Sequence, residues 1–137
     1  MGVVSLHLPA EPGHVATARA VAVALARRLE LPDELVEEVR LAVGEACARA
    51  VAVQAMADAD APVRLRLEHD REFVAAVEDS GGSGAVPPAA DHDDLFGVDL
   101  AEGLGIALLR GLVEDLEVSD TGSGTRIRMS WPLPSHS

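Results

Sequence analysis

With 137 residues, 48% of them apolar, the chain is about one domain able to bury a core, which argues against a disordered segment. Aromatic residues make up only 2%, so the core is built from Val, Leu, Ile and Ala and offers no stacking platform for single-stranded nucleic acid. The balance of 23 acidic against 11 basic residues leaves a net charge of -12, which repels DNA and RNA phosphates and makes a basic protein the better partner.

The first stretch, "MGVVSLHLPAEPGH", lacks the basic region of a signal peptide, and Leu6 stands where a myristoylation motif needs Ser or Thr. No apolar run approaches the ~20 residues of a membrane span, so the expectation is a cytoplasmic protein with no membrane partner. "VVSLHLP" sets Val4, Leu6 and Leu8 against Val3, Ser5 and His7, the alternation of a short half-buried strand. In "HVATARAVAVALARRLEL", Val15, Ala18, Val21, Leu25 and Leu29 recur at steps of three or four and predict an amphipathic helix. Pro32 fits a first helical turn, and Asp33 and Glu34 suit its positive dipole end. That second helix runs to about Ala57, with Leu35, Val39, Val43, Ala46, Ala50 and Val53 along one stripe. Cys47, the only cysteine, sits within it as a small core residue and leaves no intrachain disulfide.

"VRLRLEH" and "EFVAAVEDS" predict two strands, the first strictly alternating. The acidic, Gly- and Pro-rich segment after Asp79 predicts a lid-like loop over about 80–102, with Asp91–Asp94 as a solvated tip. "GLGIALLRGLVEDL" is a third helix entered through Gly103 and Gly105, and "EVSD" and "TRIRMSWPL" close the chain as strands around "DTGSG". The order β-α-α-β-β-loop-α-β-β predicts an α+β fold over 1–137: a two-layer sandwich of a mixed or antiparallel sheet, taken as mixed, covered on one face by about three helices.

Three features stand at junctions where a ligand would sit. Glu45 lies mid-helix among Ala and Val, placed as a general base; Asp79 ends an apolar strand and can accept from a heterocycle's amino group; Gly103 and Gly105 open a helix to an anion. Arg49 follows Glu45 by one helical turn, so an ordinary ion pair is also open to them. The absence of lysine excludes a P-loop and Schiff-base chemistry. Scattered histidines give no zinc spacing, and no metal site is expected.

Order and spacing together resemble the Bergerat-type (GHKL) ATP-binding fold, and within it the RsbW and SpoIIAB anti-sigma-factor serine kinases. "VRLAVGEACARA" is similar to the N box, "VEDSGGSG" to the D-x-G-x-G box with Asp79 and Gly81 matching, and "EGLGIALL" to the G-x-G box with Gly103 and Gly105. "GSGTRIRM" is similar to the last strand motif, with Gly124 and Thr125 matching. The resemblance implies a nucleotide, ATP or another, held by Asp79, Gly81, Gly103, Gly105 and Thr125, with Glu45 as base. It also implies a sigma factor and a STAS-domain anti-anti-sigma factor as partners, a homodimer, and a partner-contacting Arg19.

The departures fall on activity and resemble an actinobacterial variant with a degenerate N box. Arg49 replaces the asparagine that gives an oxygen to Mg²⁺, and guanidinium offers donors only. Two roles are open to it: touching phosphates in the cation's place, or pairing with Glu45 and neutralising the base. Ser83 replaces a glycine, with Gly84 following, and Val53 stands where a histidine is often found. The expectation is an anti-sigma factor with weak or absent kinase activity; the alternatives are an active Mg-ATP serine kinase of the STAS partner and a nucleotide-sensing module.

Overall fold

Val63, Leu65 and Leu67 are buried while Arg64 and Arg66 face water, so the sheet has one core side and one polar side. The computed structural model describes residues 2–57, 61–81 and 98–134, with the side chains of 98–104 left aside. It contains strands β1 (Gly2–Leu8), β2 (Val63–His69), β3 (Glu72–Glu78), β4 (Asp115–Asp120) and β5 (Thr125–Pro132), and helices α1 (Val15–Arg28), α2 (Asp33–Met56) and α3 (Val98–Leu112). The sheet order is β1-β2-β3-β5-β4.

Every neighbouring pair is antiparallel, so of the two sheets open to the sequence the antiparallel one forms rather than the mixed one, within the expected α+β sandwich. The reason lies in the last hairpin. Strands β3 and β4 point the same way, but the turn after Asp120 folds β5 between them. Gly122 takes φ 88 there and donates its N–H to Asp120 Oδ1 at 2.7 Å.

Helix α2 is the centre of the molecule, packed between the sheet and the other two helices. Of its expected stripe, Val39, Val43, Ala46, Ala50 and Val53 are buried and Leu35 is half-buried; Val36, Ala42, Cys47, Arg49 and Gln54 are buried too, because neighbours close on α2 from more than one side. On α1 the fully covered side is Ala18, Ala22, Val23 and Ala26, while Val15, Val21, Leu25 and Leu29 sit half-buried at the margin. The small alanines let α1 approach α2 closely, and the larger side chains seal the seam. Phe73 and Trp131 pack 5.8 Å apart between ring centroids, and the Trp131 indole N–H reaches Glu38 Oε1 at 2.9 Å. That bond satisfies the single polar atom of the largest core residue.

Helix α3 begins at Val98, so Gly103 and Gly105 lie inside it rather than at its entry. The i,i+4 spacing of Leu100, Leu104 and Leu108 carries the helical period upstream of the glycines and overrides their low propensity. The expected loop over about 80–102 is therefore helical from Val98 onward. Ser83, Gly84 and Asp91–Asp94 lie outside the described residues.

Candidate functional site

Asp79 leaves the end of β3 and ties it to the start of β5. Its backbone N–H donates to the Thr125 carbonyl at 3.0 Å, and its Oδ1 accepts from the Gly81 N–H at 2.9 Å and the Thr125 N–H at 3.4 Å. The residue is 3% exposed. Gly124 is confined to glycine here, because a Cβ at that position would overlap the Asp79 carbonyl oxygen.

The remaining oxygen of Asp79 faces a cation. Arg49, reaching in from α2, places Nη1 3.4 Å from Asp79 Oδ2, with the two side chains 2% and 1% exposed. The ion pair left open between Arg49 and Glu45 does not form: the Glu45 side chain makes no hydrogen bond or ion pair among the described residues. Helical spacing permits that pair, but a carboxylate taken out of water needs a counter-charge far more than one half in water does. Asp79 is the buried one, and it captures the guanidinium.

Gln54, about one and a half turns beyond Arg49, joins the same group. Its Oε1 accepts from the Ser80 N–H at 2.9 Å, while its Nε2 and the Thr125 hydroxyl are buried without a hydrogen-bond partner among the described residues. Sequence reasoning passed over Gln54. The available signal was a lone amide inside the apolar run "AVAVQAM", since buried amides are kept where they have something to bind.

Glu45 lies one turn before Arg49 on α2, where the helix faces α3. It is half-buried and lines a cleft of about 520 Å³ between α2 and α3, with Leu41, Leu108 and Leu112 among the walls. Gly105 makes room for it: a Cβ there would stand 3.1 Å from Glu45 Oε1. Arg19, exposed on α1, lies over Gly44 of α2, where an added Cβ would come within 2.7 Å of Arg19 Cδ. It borders a groove of about 540 Å³ between α1 and α2, lined by Ala48, Val51, Ala52 and Ala55. The candidates thus fall into three places: Arg49, Asp79, Gly81 and Thr125 together, Glu45 with Gly105 beside them, and Arg19 apart. Gly103 is two residues upstream of Gly105 on α3. Burial pushes the Cys47 thiol up to about 12, so it is a core residue rather than a nucleophile.

The donor set does not suit Mg²⁺. A hard cation requires oxygen ligands, and the N-box position supplies a buried guanidinium instead. Among the described residues no group of three or more His, Cys, Asp or Glu could hold a metal ion. For a heterocycle the fit is partial. Thr125 Oγ1 and Gln54 Nε2 keep unused hydrogen-bonding capacity, but the acceptor that would meet an amino group is already engaged by Arg49. No helix among the described residues is long and apolar enough to cross a membrane.

Comparison with known proteins agrees with this fold. Residues 8–131 match the family model of the histidine kinase-like ATPase domain. The serine-protein kinase RsbW of Bacillus pumilus (strain SAFR-032) is 30% identical over 136 residues, covering 93% of this chain and 83% of that protein. Among solved structures, the RsbU and RsbW domains of Rv1364c from Mycobacterium tuberculosis superpose with a TM-score of 0.71 at 16% identity over 100% of this chain. The match spans 34% of that longer protein. The histidine kinase domain of the Erythrobacter litoralis EL346 blue-light activated histidine kinase gives 0.56 at 20% identity, over 91% of this chain and 61% of that one. The two structural likenesses speak to the fold alone. With the family match over nearly the whole length and the RsbW relative beside it, this chain belongs to the histidine kinase-like ATPase domain family, in its RsbW type.

Proposed function

We propose that this protein is an anti-sigma factor that sequesters an RNA polymerase sigma factor in the cytoplasm, is released by a STAS-domain anti-anti-sigma factor, and has weak or absent kinase activity. The observation that carries the last point is the buried pair of Arg49 and Asp79. A nucleotide approaching this site has to displace a guanidinium from the carboxylate it needs, and finds no oxygen ligand for Mg²⁺ at the N-box position. Phosphoryl transfer depends on positioning and charge neutralisation, so losing both lowers the rate by several powers of ten. Partner binding does not require that chemistry. Arg19 over the small-residue groove between α1 and α2 is the proposed contact, and the net charge of -12 favours a basic partner. A homodimer through β1 fits its outer edge, unpaired among the described residues, where Val3 is 48% and Val4 39% exposed.

One observation favours a second reading, an active serine kinase: Glu45 lines an open cleft with no ion pair among the described residues. Two experiments separate the readings. Co-purification from the native cell is expected to recover a sigma factor and a STAS protein, and recovery of neither overturns the proposal. Incubation with labelled ATP, Mg²⁺ and the STAS partner is expected to give little label, whereas Glu45-dependent transfer establishes the kinase.

A further inference from the structure

Four arginines stand on the open face of the sheet in two pairs that flank β3. The register sets Arg66 and Arg128 on either side of Ala76, and Arg64 and Arg126 on either side of Glu78. Val74, Ala76 and Glu78 form the floor of a trough of about 500 Å³, with Ser5 and His7 on the β1 rim. The short side chain of Ala76 leaves the space between Arg66 and Arg128 unfilled.

The charge of this trough is opposite to that of the protein. Against the four arginines the lining holds two carboxylates, Glu68 and Glu78. Arg126 Nε donates to Glu78 at 2.6 Å, Arg64 lies 3.8 Å from the same carboxylate, and Arg66 pairs with Glu68. Arg128, half-buried, takes part in none of the ion pairs formed among the described residues. Exposed pairs of this kind contribute little to stability, and like charges on one sheet face repel, so fold stability gives little reason for the arrangement.

We propose that the trough binds an extended acidic segment of a partner protein, laid along β3 with its carboxylates on the flanking arginines. Same-face residues of a strand repeat every ~6.6–6.8 Å, which is also the repeat of alternate side chains in an extended peptide. Carboxylates at every second residue therefore meet Arg64 and Arg66 on one side and Arg126 and Arg128 on the other, each accepting the forked guanidinium geometry. Nucleic acid fits less well. Phe73 and Trp131 are buried on the opposite side of the sheet and leave no ring to stack on, and a long polyanion meets the net charge of -12. The surface lies across the sheet from Arg19 and the helices, so the inference goes beyond the proposed function and stands or falls separately from it.

Fluorescence anisotropy with a labelled eight-residue Glu-Ala repeat tests it, at ~150 mM salt, where the distant acidic surface is screened and close contacts persist. The wild-type protein is expected to bind this peptide and not the matching Lys-Ala peptide. The double variant Arg66→Ser/Arg128→Ser is expected to weaken binding roughly tenfold or more with an unchanged melting temperature, as both sites are on the surface. Arg27→Ser/Arg28→Ser on α1 serves as the control and is expected to bind as wild type. Absence of wild-type binding overturns the proposal, as does an equal loss in the α1 control or equally tight binding of oligo-dT. Conversion of a dimer to a monomer by the trough variant would also overturn it, by assigning the face to a second copy.

Discussion

Glu45 and Arg49 sit one turn apart on α2 and meet opposite surroundings. Glu45 looks into an open cleft beside Gly105 with no counter-charge among the described residues, whereas Arg49 is buried on Asp79. Helical spacing made them neighbours, but burial chose their partners. An exposed i,i+4 pair contributes ~0.3–0.5 kcal/mol, while a buried carboxylate stripped of its cation costs ~3–5 kcal/mol. The buried carboxylate's demand prevails, and it leaves the two carboxylates in different states: Glu45 half in water, and Asp79, which we propose as the nucleotide-recognition residue, already paired with Arg49.

The largest effect expected from breaking this contrast is that of Arg49→Ala. It leaves Asp79 charged and buried and should lower unfolding free energy in urea by ~3–5 kcal/mol. A loss below ~1 kcal/mol would mean that the pair contributes no more than a surface one. Gly124→Ala comes next. It forces a methyl into the Asp79 carbonyl, a backbone atom with no rotamer to yield, so a loss at the upper end of ~1–3 kcal/mol is expected from the same titration.

A third test uses pH. The Cys47 thiol is raised in the folded state by burial, so its stabilising contribution is fully present below the unfolded thiol value of ~8.5 and is lost as pH rises towards the folded value of about 12. Between pH 8.5 and 10 stability should fall by ~2 kcal/mol from this group, and Cys47→Ala should remove that part of the slope. Smallest is Glu45→Gln, expected to change stability by less than ~0.5 kcal/mol and to leave partner capture intact. A large loss on that substitution would show that Glu45 has a structural partner after all.

Much of this was legible from local pattern. The buried stripe of α2, the alternation of β2 and β5, and the strand-end placement of Asp79 follow from periodicity and turn chemistry acting over a few residues, while Gly124 and Thr125 are picked out by motif resemblance. What escaped was non-local. Arg49 and Asp79 are 30 positions apart, and nothing in "EACAR" tells which way the guanidinium turns until β3 is docked beneath α2. The insertion of β5 between β3 and β4 is also a pairing choice made at long range. Gly103 and Gly105 mislead for a different reason. A glycine pair after a loop reads as a helix start, yet the leucine period before it carries the helix through, and Gly105 gives Glu45 its space.

The central claim is that Arg49 holds the nucleotide-recognition carboxylate, and thermal unfolding of the wild type and Arg49→Asn with and without Mg-ATP tests it most directly. The wild type should barely respond. The variant should start less stable and rise on addition of Mg-ATP, reaching ~2.7 kcal/mol of stabilisation at a hundredfold excess over its Kd. A wild-type protein stabilised by Mg-ATP as strongly as the variant would contradict the account.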